Sequence, residues 1–476
     1  MSPSDDDHID ELPQPVAVPP PDEEDEDESH LGLADTVIRE VRGLLDEGAL
    51  DAVRALCSDM AATDMAELLT KIDPDKRQQL VDILGDVIDP EAFSYIDEDI
   101  RYDLFETMPA QRIAAIVNGL ESDDAISLIN GLDEDRQREI LRHLSRKVRA
   151  AIEEGLTFDE DSAGRLMQRE FVAVPQFWTI GKTVDYLRAA SDNLPPSFYD
   201  LFIVDHAHRF VGSIALSRVL CAQRNVRVET LTGEDHVTIP VDMDREQVAH
   251  LFRRKDLLSA PVVDEDDKLI GMITVDDIVD VIDEEAEEDI MKLGGVSDSD
   301  IYRPTLATAR SRSTWLAVNL ITAFVAATVI SQFEATIGKI VALAALMPIV
   351  AGMGGNAGTQ TMTVVIRALA TKELSRSNTW RMVGKEFAVG SINGAVFALL
   401  VGSVVWWWFG QVDLAGVIAA AMIINLTMAG LAGILIPVGL DRVGIDPAPS
   451  AGIFLTTVTD VTGFLAFLGL ATLLLI

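Results

Sequence analysis

The sequence predicts a multidomain protein: an all-α superhelical N-terminal domain, an α/β tandem of two related modules, and a five-helix α transmembrane domain. Three observations predict it. Apolar residues recur at three- and four-residue spacing through 31–158, the helical period. A strand, polar turn, strand and helix occur twice within 159–283 in constant register. Five apolar stretches, each reaching the ~20 residues needed to cross a bilayer, fill 305–476.

The net charge is −39 and is distributed unevenly. Residues 305–476 carry nine Lys/Arg and seven Asp/Glu. So 29 of the 38 basic and 70 of the 77 acidic residues lie in 1–304, a net of −41 there. Such a surface repels phosphates, which argues against nucleic acid and favours cations as partners. Asp (48) outnumbers Glu (29), and Lys (10) is scarce beside Arg (28). A salt-rich cytosol would select the same hydrated acidic surface, so only particular clusters can argue for ion sensing. Cys57 and Cys221 lie far apart and fit neither a disulfide framework nor a zinc site. Residues 1–30 form an acidic, Pro-rich tail without an apolar core, expected to be disordered and to be neither signal peptide nor anchor.

In 31–158, Leu44, Leu45, Val53 and Leu56, and again Ile126, Ile129, Ile140 and Leu144, carry the helical pattern. The segment 64–73 resembles 124–133, an offset of 60. Repeated helix pairs of this kind stack into a superhelix, a scaffold rather than a catalytic domain.

In 159–283 the apolar runs around Phe202 and Phe210 match those around Val262 and Leu269. Asp205 to Asp264 and Gly212 to Gly271 are both 59 residues. The pattern resembles a tandem of cystathionine-β-synthase-type (CBS) modules. Such modules often take adenine nucleotides such as ATP on a Thr-x-x-Asp step. The second module has Thr274 and Asp277 in that step, and the first lacks both groups in register. The alternative for Thr274 and Asp277 is a helix N-cap. Next comes an acidic connecting helix, placed at 284–304. Glu285, Glu288 and Asp289 share one of its faces at i, i+3, i+4 spacing, where like charges repel unless salt or bound cations screen them.

The five spans fall at about 314–333, 339–371, 380–408, 414–440 and 447–476. With 1–304 in the cytoplasm, an odd span count puts the C-terminus outside. Eight basic residues, Arg310 to Arg442, then flank the cytoplasmic side and only Lys339 the other, in keeping with the positive-inside bias. Trp406, Trp407 and Trp408 fall at the outer interface, where indole rings settle. The second span is rich in Gly between Met347 and Gln360, a composition that permits close backbone approach or a break in the helix. Asn356, Thr359 and Thr363 share a face of this span; Gly452, Thr456 and Asp460 share a face of the last. An ionised carboxylate at bilayer depth costs at least ~2.5 kcal/mol, so Asp460 is expected to face a partner or a wet path.

The strings Gly354-Gly355-Asn356-Ala357-Gly358-Thr359-Gln360, Ile366-Arg367-Ala368-Leu369-Ala370-Thr371, Gly444-Ile445-Asp446-Pro447-Ala448 and Thr459-Asp460-Val461-Thr462-Gly463 complete the pattern. With the domain order, they resemble the MgtE family of magnesium transporters over about 35–476. The resemblance implies a multi-pass protein of the cell membrane, in contact with membrane lipid, working as a homodimer that conducts Mg²⁺. Asp460 would be the pore carboxylate and Asn356, Thr359, Thr363, Gly452 and Thr456 would line the path. At Thr359 and Gly452 the family pattern would have a carboxamide. Asp446 would sit at the cytoplasmic mouth. Asp124, Asp244, Glu246, Asp256, Asp277, Asp280, Glu285, Glu288 and Asp289 would take the Mg²⁺ ions that hold the pore shut.

Two other readings remain open from the residues: a membrane-tethered nucleotide or ion sensor without transport, and a transporter for Co²⁺ or Mn²⁺. Oxygen-only ligands disfavour Zn²⁺ and Cu²⁺. No nucleophile–base pair or phosphate loop stands out, so an enzyme is not expected.

Overall fold

The computed structural model describes residues 32–191, 194–195, 197–233, 236–296, 305–374 and 378–476. The acidic tail and the end of the connecting segment, 297–304, therefore lie outside the described residues. The chain divides into two compact units, one ending at Val279 and the other starting at Asp280.

The first unit opens with short helices from Asp35–Glu47 to Arg146–Gly155 around one apolar core that includes Val41, Leu68, Leu80, Phe105 and Ile129. The sequence repeat is structural. Ala62–Lys71 and Ser122–Asn130 are the equivalent helices, and Asp73 and Asp133 are the N-caps of the helices that follow each. Arg77 donates to the carbonyls of Leu69 and Ile72, and Gln137, 60 residues on, donates to that of Leu132 at 2.8 Å. These side chains satisfy carbonyls that the preceding helix leaves orphaned at its end.

Two three-stranded sheets follow. In the first, β1 (Ala173–Pro175) pairs parallel with β2 (Asp200–Val204), which pairs antiparallel with β3 (Phe210–Ala215). In the second, β4 (Ile239–Pro240), β5 (Ser259–Val263) and β6 (Leu269–Thr274) repeat that order. The 59-residue register holds to the atom. Asp205 Oδ1 accepts from the N–H of Ala207 and Arg209, and Asp264 Oδ1 from those of Asp266 and Lys268. The turns put His208 and Asp267 at φ 62. Both hairpins are bulged at the same step, Ile203/Val204 and Val262/Val263.

The helix after β6, α1 (Val275–Leu293), runs unbroken through the boundary placed at 283/284. The acidic connecting helix is thus the continuation of the second module's last helix. In the second unit follow α2 (Thr305–Ser331), the short α3 (Glu334–Lys339), α4 (Ala342–Ala370), α5 (Thr379–Phe409), α6 (Val412–Val443) and α7 (Pro447–Leu475). All but α3 are long and apolar enough to cross a membrane.

Helix α6 is the centre, packed against α4, α5 and α7, with Ile418, Ala421 and Met422 fully buried. Glycines set the approach. A Cβ at Gly390 would stand 2.7 Å from the carbonyl oxygen of Leu426, and one at Gly394 2.9 Å from Cα of Ile423. Small residues are what let membrane helices pack backbone to backbone. Of the two alternatives for the Gly-rich stretch of α4, close approach or a break, the structure shows the first. The helix is continuous from Ala342 to Ala370, with Pro348 inside it, and one face packs against α6 and α7. Its glycines serve close approach, Gly358 against Leu455 of α7 and Gly354 against Asn425 of α6.

Candidate ion path and cation sites

Helices α4 and α7 each have a packed face and an open polar face. On α4 the packed positions are Val350, Gly354, Gly358, Met362 and Val365; on α7 they are Ala448, Ala451, Leu455, Thr459 and Gly463. The other faces carry the residues the sequence singled out. Asn356, Thr359, Thr363 and Thr456 are exposed on the single chain, and Gly452 and Asp460 are partly so. Thr359, Thr363 and Thr456 donate their hydroxyl hydrogens to the carbonyls of Gly355, Thr359 and Gly452, at 2.9, 3.0 and 2.9 Å. Each oxygen then turns its lone pairs outward, as acceptors. A hydrated cation presents water hydrogens, so such a lining suits an ion that keeps its waters, as Mg²⁺ does. The Asp460 carboxylate has no hydrogen-bond or ion-pair partner among the described residues.

Two polar residues behind this face escaped the sequence reading. Asn425 is fully buried on α6, donates to the carbonyl of Val350 at 2.8 Å, and leaves its Oδ1 without a partner. Gly354 of α4 and Gly463 of α7 both pack on its side chain, so one carboxamide is wedged between the two candidate path helices. Glu386 of α5 is buried and accepts from the Thr361 hydroxyl at 3.0 Å. Its position beside Lys385 near the start of a span reads as an interfacial charge; only packing shows that it points inward.

Within the acidic run 283–289 of α1, Glu285, Glu288 and Asp289 are the half-buried positions, in keeping with their shared face. Asp280 is exposed there. Lys292 on the same face bonds Glu288 at 2.7 Å and Asp446 at 3.2 Å. Asp446 uses its other oxygen to cap α7, accepting from the N–H of Ala448 at 2.9 Å. Burial pushes the Asp289 carboxyl up, and the Asp446 charge adds to that against the pull of Lys292. Burial lowers the Lys292 ammonium, but Glu288 and Asp446 outweigh it and hold the ammonium above its ordinary value. An ammonium lodged between carboxylates occupies the kind of position a metal cation could take.

In the first unit the expected sites are only partly brought together. Asp244 and Glu246 stand at the N-terminus of Arg245–Lys255, where Asp244 accepts from the N–H of Glu246 and Gln247. Asp256 is its left-handed C-cap at φ 52. Eleven residues of helix separate the ends by about 16 Å, so within one chain Asp256 does not join the other two. Thr274 and Asp277 bond each other, the carboxylate accepting from the Thr274 hydroxyl at 2.8 Å and its N–H at 3.3 Å. That is the helix-capping alternative for this pair.

Asp124 lines a cavity of about 380 Å³ together with Glu121, Thr274, Asp276 and Tyr199; among the described residues no Lys or Arg lines it. The carboxylate set against Asp277 is the neighbouring Asp123, whose Oδ1 is buried without a partner. Burial, then the charges of Asp277 and Asp124, push Asp123 well above the carboxylate range. Burial also raises Asp277, opposed by its bonds from Thr274. Glu121 is pushed up to about 7 by burial, then by Asp277, Glu170, Asp124 and Asp276. Adjacent identical letters hid the distinction: Asp123 and Asp124 differ only in the ~100° each takes around the helix. Among the described residues, no group of three or more His, Cys, Asp or Glu forms a ready metal cage.

The family described as "MgtE: Divalent cation transporter" matches residues 347–470, "MgtE intracellular N domain" matches 60–161, and "CBS domain" matches 228–284. A protein of Thermus thermophilus named "Magnesium transporter MgtE" is 32% identical over 438 residues, 90% of this chain and 97% of that one. One of Bacillus subtilis with the same name is 29% identical over 442 residues, 92% and 97%. A crystal structure titled as the cytosolic domain of the Mg²⁺ channel MgtE in complex with ATP is 27% identical, covers 51% of this chain and 99% of its own, and superposes with a TM-score of 0.48. The chain belongs to the MgtE family of divalent cation transporters.

Proposed function

We propose that the chain is a magnesium channel or transporter that takes up divalent cations and is shut by cytosolic Mg²⁺. The observation that carries this reading is the carboxylate of Asp460, without a partner among the described residues, on the open polar face of α7, with a second open polar face on α4. A lone carboxylate at membrane depth is retained where it meets water or an ion. A second copy of the chain, apposed on that face, would enclose a path lined by outward-turned hydroxyl oxygens and two carboxylates. The N-terminal units would lie in the cytoplasm and the C-terminus outside, as the basic flanks suggest.

Gating follows from charge. Carboxylates of the first unit and of α1 repel until divalent ions bridge them, and such ions bind the compact, closed state better and shift the population to it. Asp124, Asp277, Asp244, Glu246, Asp256, Asp280, Glu285, Glu288, Asp289 and Asp446 are the candidates. Since Asp244 and Asp256 stand at opposite ends of one helix, a site using both would need carboxylates from a second subunit. ATP at Thr274 would meet a cavity wall without basic residues, so any nucleotide there would need bound cations to neutralise its phosphates.

The test is Mg²⁺ flux into vesicles holding the purified chain, with internal Mg²⁺ varied and Asp460→Ala as control. Flux lost in the variant and falling with internal Mg²⁺ in the parent is expected. Intact flux in Asp460→Ala would remove the pore assignment, and a silent parent would favour a sensor without transport. Competition by Co²⁺ and Mn²⁺ in the same assay decides selectivity, since oxygen ligands alone do not.

A further inference from the structure

Where α4 ends and α5 begins, a cavity of about 530 Å³ is lined by Arg367 of α4, by Arg381 and Lys385 of α5, and by Glu373 between them. Among the described lining residues, three cations stand against one carboxylate, which makes it a basic pocket in a chain that is otherwise strongly acidic. Among the described residues, none of the three cations has an ion-pair or hydrogen-bond partner. Glu373 is instead tied down through its backbone, its carbonyl accepting from Asn378 at 2.9 Å. Nothing in the conduction reading uses this pocket.

The surface next to it is apolar and follows the same helix face. From Arg381 and Lys385 the spacing of α5 continues through Ala388, Ile392, Val396 and Leu399, at steps of three and four. Ile392, Val396 and Leu399 are 63%, 55% and 74% exposed. On α4, Val364 at the cavity wall is 56% exposed. A charged socket at the end of a membrane helix, continued by an open hydrocarbon track along that helix, has the shape of an amphiphile. A free phosphate would answer the cations but would leave the track without a purpose.

We propose that this pocket binds the headgroup of an anionic glycerophospholipid, with its phosphate among Arg367, Arg381 and Lys385 and an acyl chain along α5. On the orientation proposed above, the pocket opens to the cytoplasmic leaflet, where anionic lipids give each nearby basic residue about five-fold in affinity. Lipid held there would clamp the α4–α5 corner, and α4 carries half of the candidate ion path.

The test is native mass spectrometry of the purified full-length chain in detergent, titrated with phosphatidylglycerol and with phosphatidylcholine of equal chain length. Phosphatidylglycerol is expected to be retained at least ten-fold more tightly. Arg367→Gln/Arg381→Gln/Lys385→Gln should lose that preference, by about five-fold per charge. Ile392→Ser/Leu399→Ser should weaken both lipids alike. Equal retention of the two lipids by the parent chain overturns the proposal. So does preference that survives the triple substitution in protein with an unchanged unfolding midpoint. If the triple variant does not fold, Arg381→Gln alone carries the test, with a loss of about five-fold expected and no loss overturning it. Inorganic phosphate at millimolar concentration separates the sources. If it displaces phosphatidylglycerol and binds unaffected by the apolar substitutions, the pocket is a free-anion site and the lipid assignment is wrong. The readout is binding, so a failure of Asp460→Ala to stop flux would leave this result standing.

Discussion

Lys292 places its ammonium 3.2 Å from the carboxylate of Asp446, joining the end of the connecting helix to the first turn of the last membrane helix. The same ammonium lies 2.7 Å from Glu288. A half-exposed ion pair of this kind contributes ~1 kcal/mol or less. The repulsion between that ammonium and a divalent ion about 4 Å away is ~2 kcal/mol even in water, twice the unit-charge value. Competition with Mg²⁺ for the carboxylates therefore outweighs the latch. Lys292→Met is expected to lower the internal Mg²⁺ that half-closes the path, several-fold. Flux measured against internal Mg²⁺ checks this; a shift to higher Mg²⁺ would show that Lys292 is itself the latch. Glu288→Ala with Asp289→Ala should act oppositely and leave a leak at high Mg²⁺.

Asn425 sets the spacing between α4 and α7. A Cβ at Gly354 would come within 2.3 Å of its Nδ2, and one at Gly463 within 2.9 Å. Asn425 is fully buried and bonded to the carbonyl of Val350, so Gly354→Ala is expected to move a helix or break that bond. Overpacking of this kind costs about 1–3 kcal/mol. Gly354→Ala is expected to lower the unfolding midpoint in detergent and to reduce flux. Gly355→Ala, one residue on with nothing within 4 Å, is the control and should leave the midpoint unchanged. Equal midpoints for the two variants would remove Asn425 as the spacer.

Periodicity carried the architecture. The helix pattern, the 59-residue repeat and the five apolar stretches each depend on short-range spacing, which a sequence displays directly, and each reappears in Asp205 and Asp264, in Arg77 and Gln137, and in α2 and α4–α7. The open faces of α4 and α7 were legible for the same reason, since the exposed Asn356, Thr359, Thr363 and Thr456 lie at i, i+3, i+4 steps on their own helices. What was not legible depends on partners distant in sequence. Asn425 looks like one polar residue in an apolar helix until Gly354 and Gly463 arrive from two other helices. The Gly-rich stretch of α4 is compatible with close approach or with a break, and only the neighbours at Gly354 and Gly358 decide for close approach. Asp123 and Asp124 read alike in sequence, and only the packed Asp277 tells their surroundings apart.

The two thiols differ in surroundings. Cys57 is buried among the N-terminal helices, and burial alone pushes it up to about 11. Cys221 is exposed. The thiolate is the reactive form, so at pH 8 an alkylating reagent is expected to modify Cys221 in the folded protein and Cys57 only after unfolding. Peptide mapping before and after denaturant reads this out. Fast native labelling of Cys57 would mean that the core around Val53 and Leu68 opens readily.

On the proposed reading, Glu121 would link proton and metal binding. Its carboxyl is raised from 4.5 to about 7, so it holds its proton more tightly folded than unfolded. A group of this sign contributes stability that is complete below about pH 4.5 and is lost as pH rises through about 7. Asp123 and Asp277, both raised and both beside it, push in the same direction. In the metal-free full-length protein, the amides of Ser122–Asn130 should exchange with solvent faster at pH 8 than at pH 5.5, after correction for the intrinsic rate. Added Mg²⁺ should restore protection at pH 8, where the carboxylates are charged, and do little at pH 5.5, where protons already neutralise them. If Mg²⁺ protected this helix equally at both pH values, the ion would have to bind away from the Glu121, Asp123 and Asp277 cluster, and the first unit's sensing site would lie elsewhere.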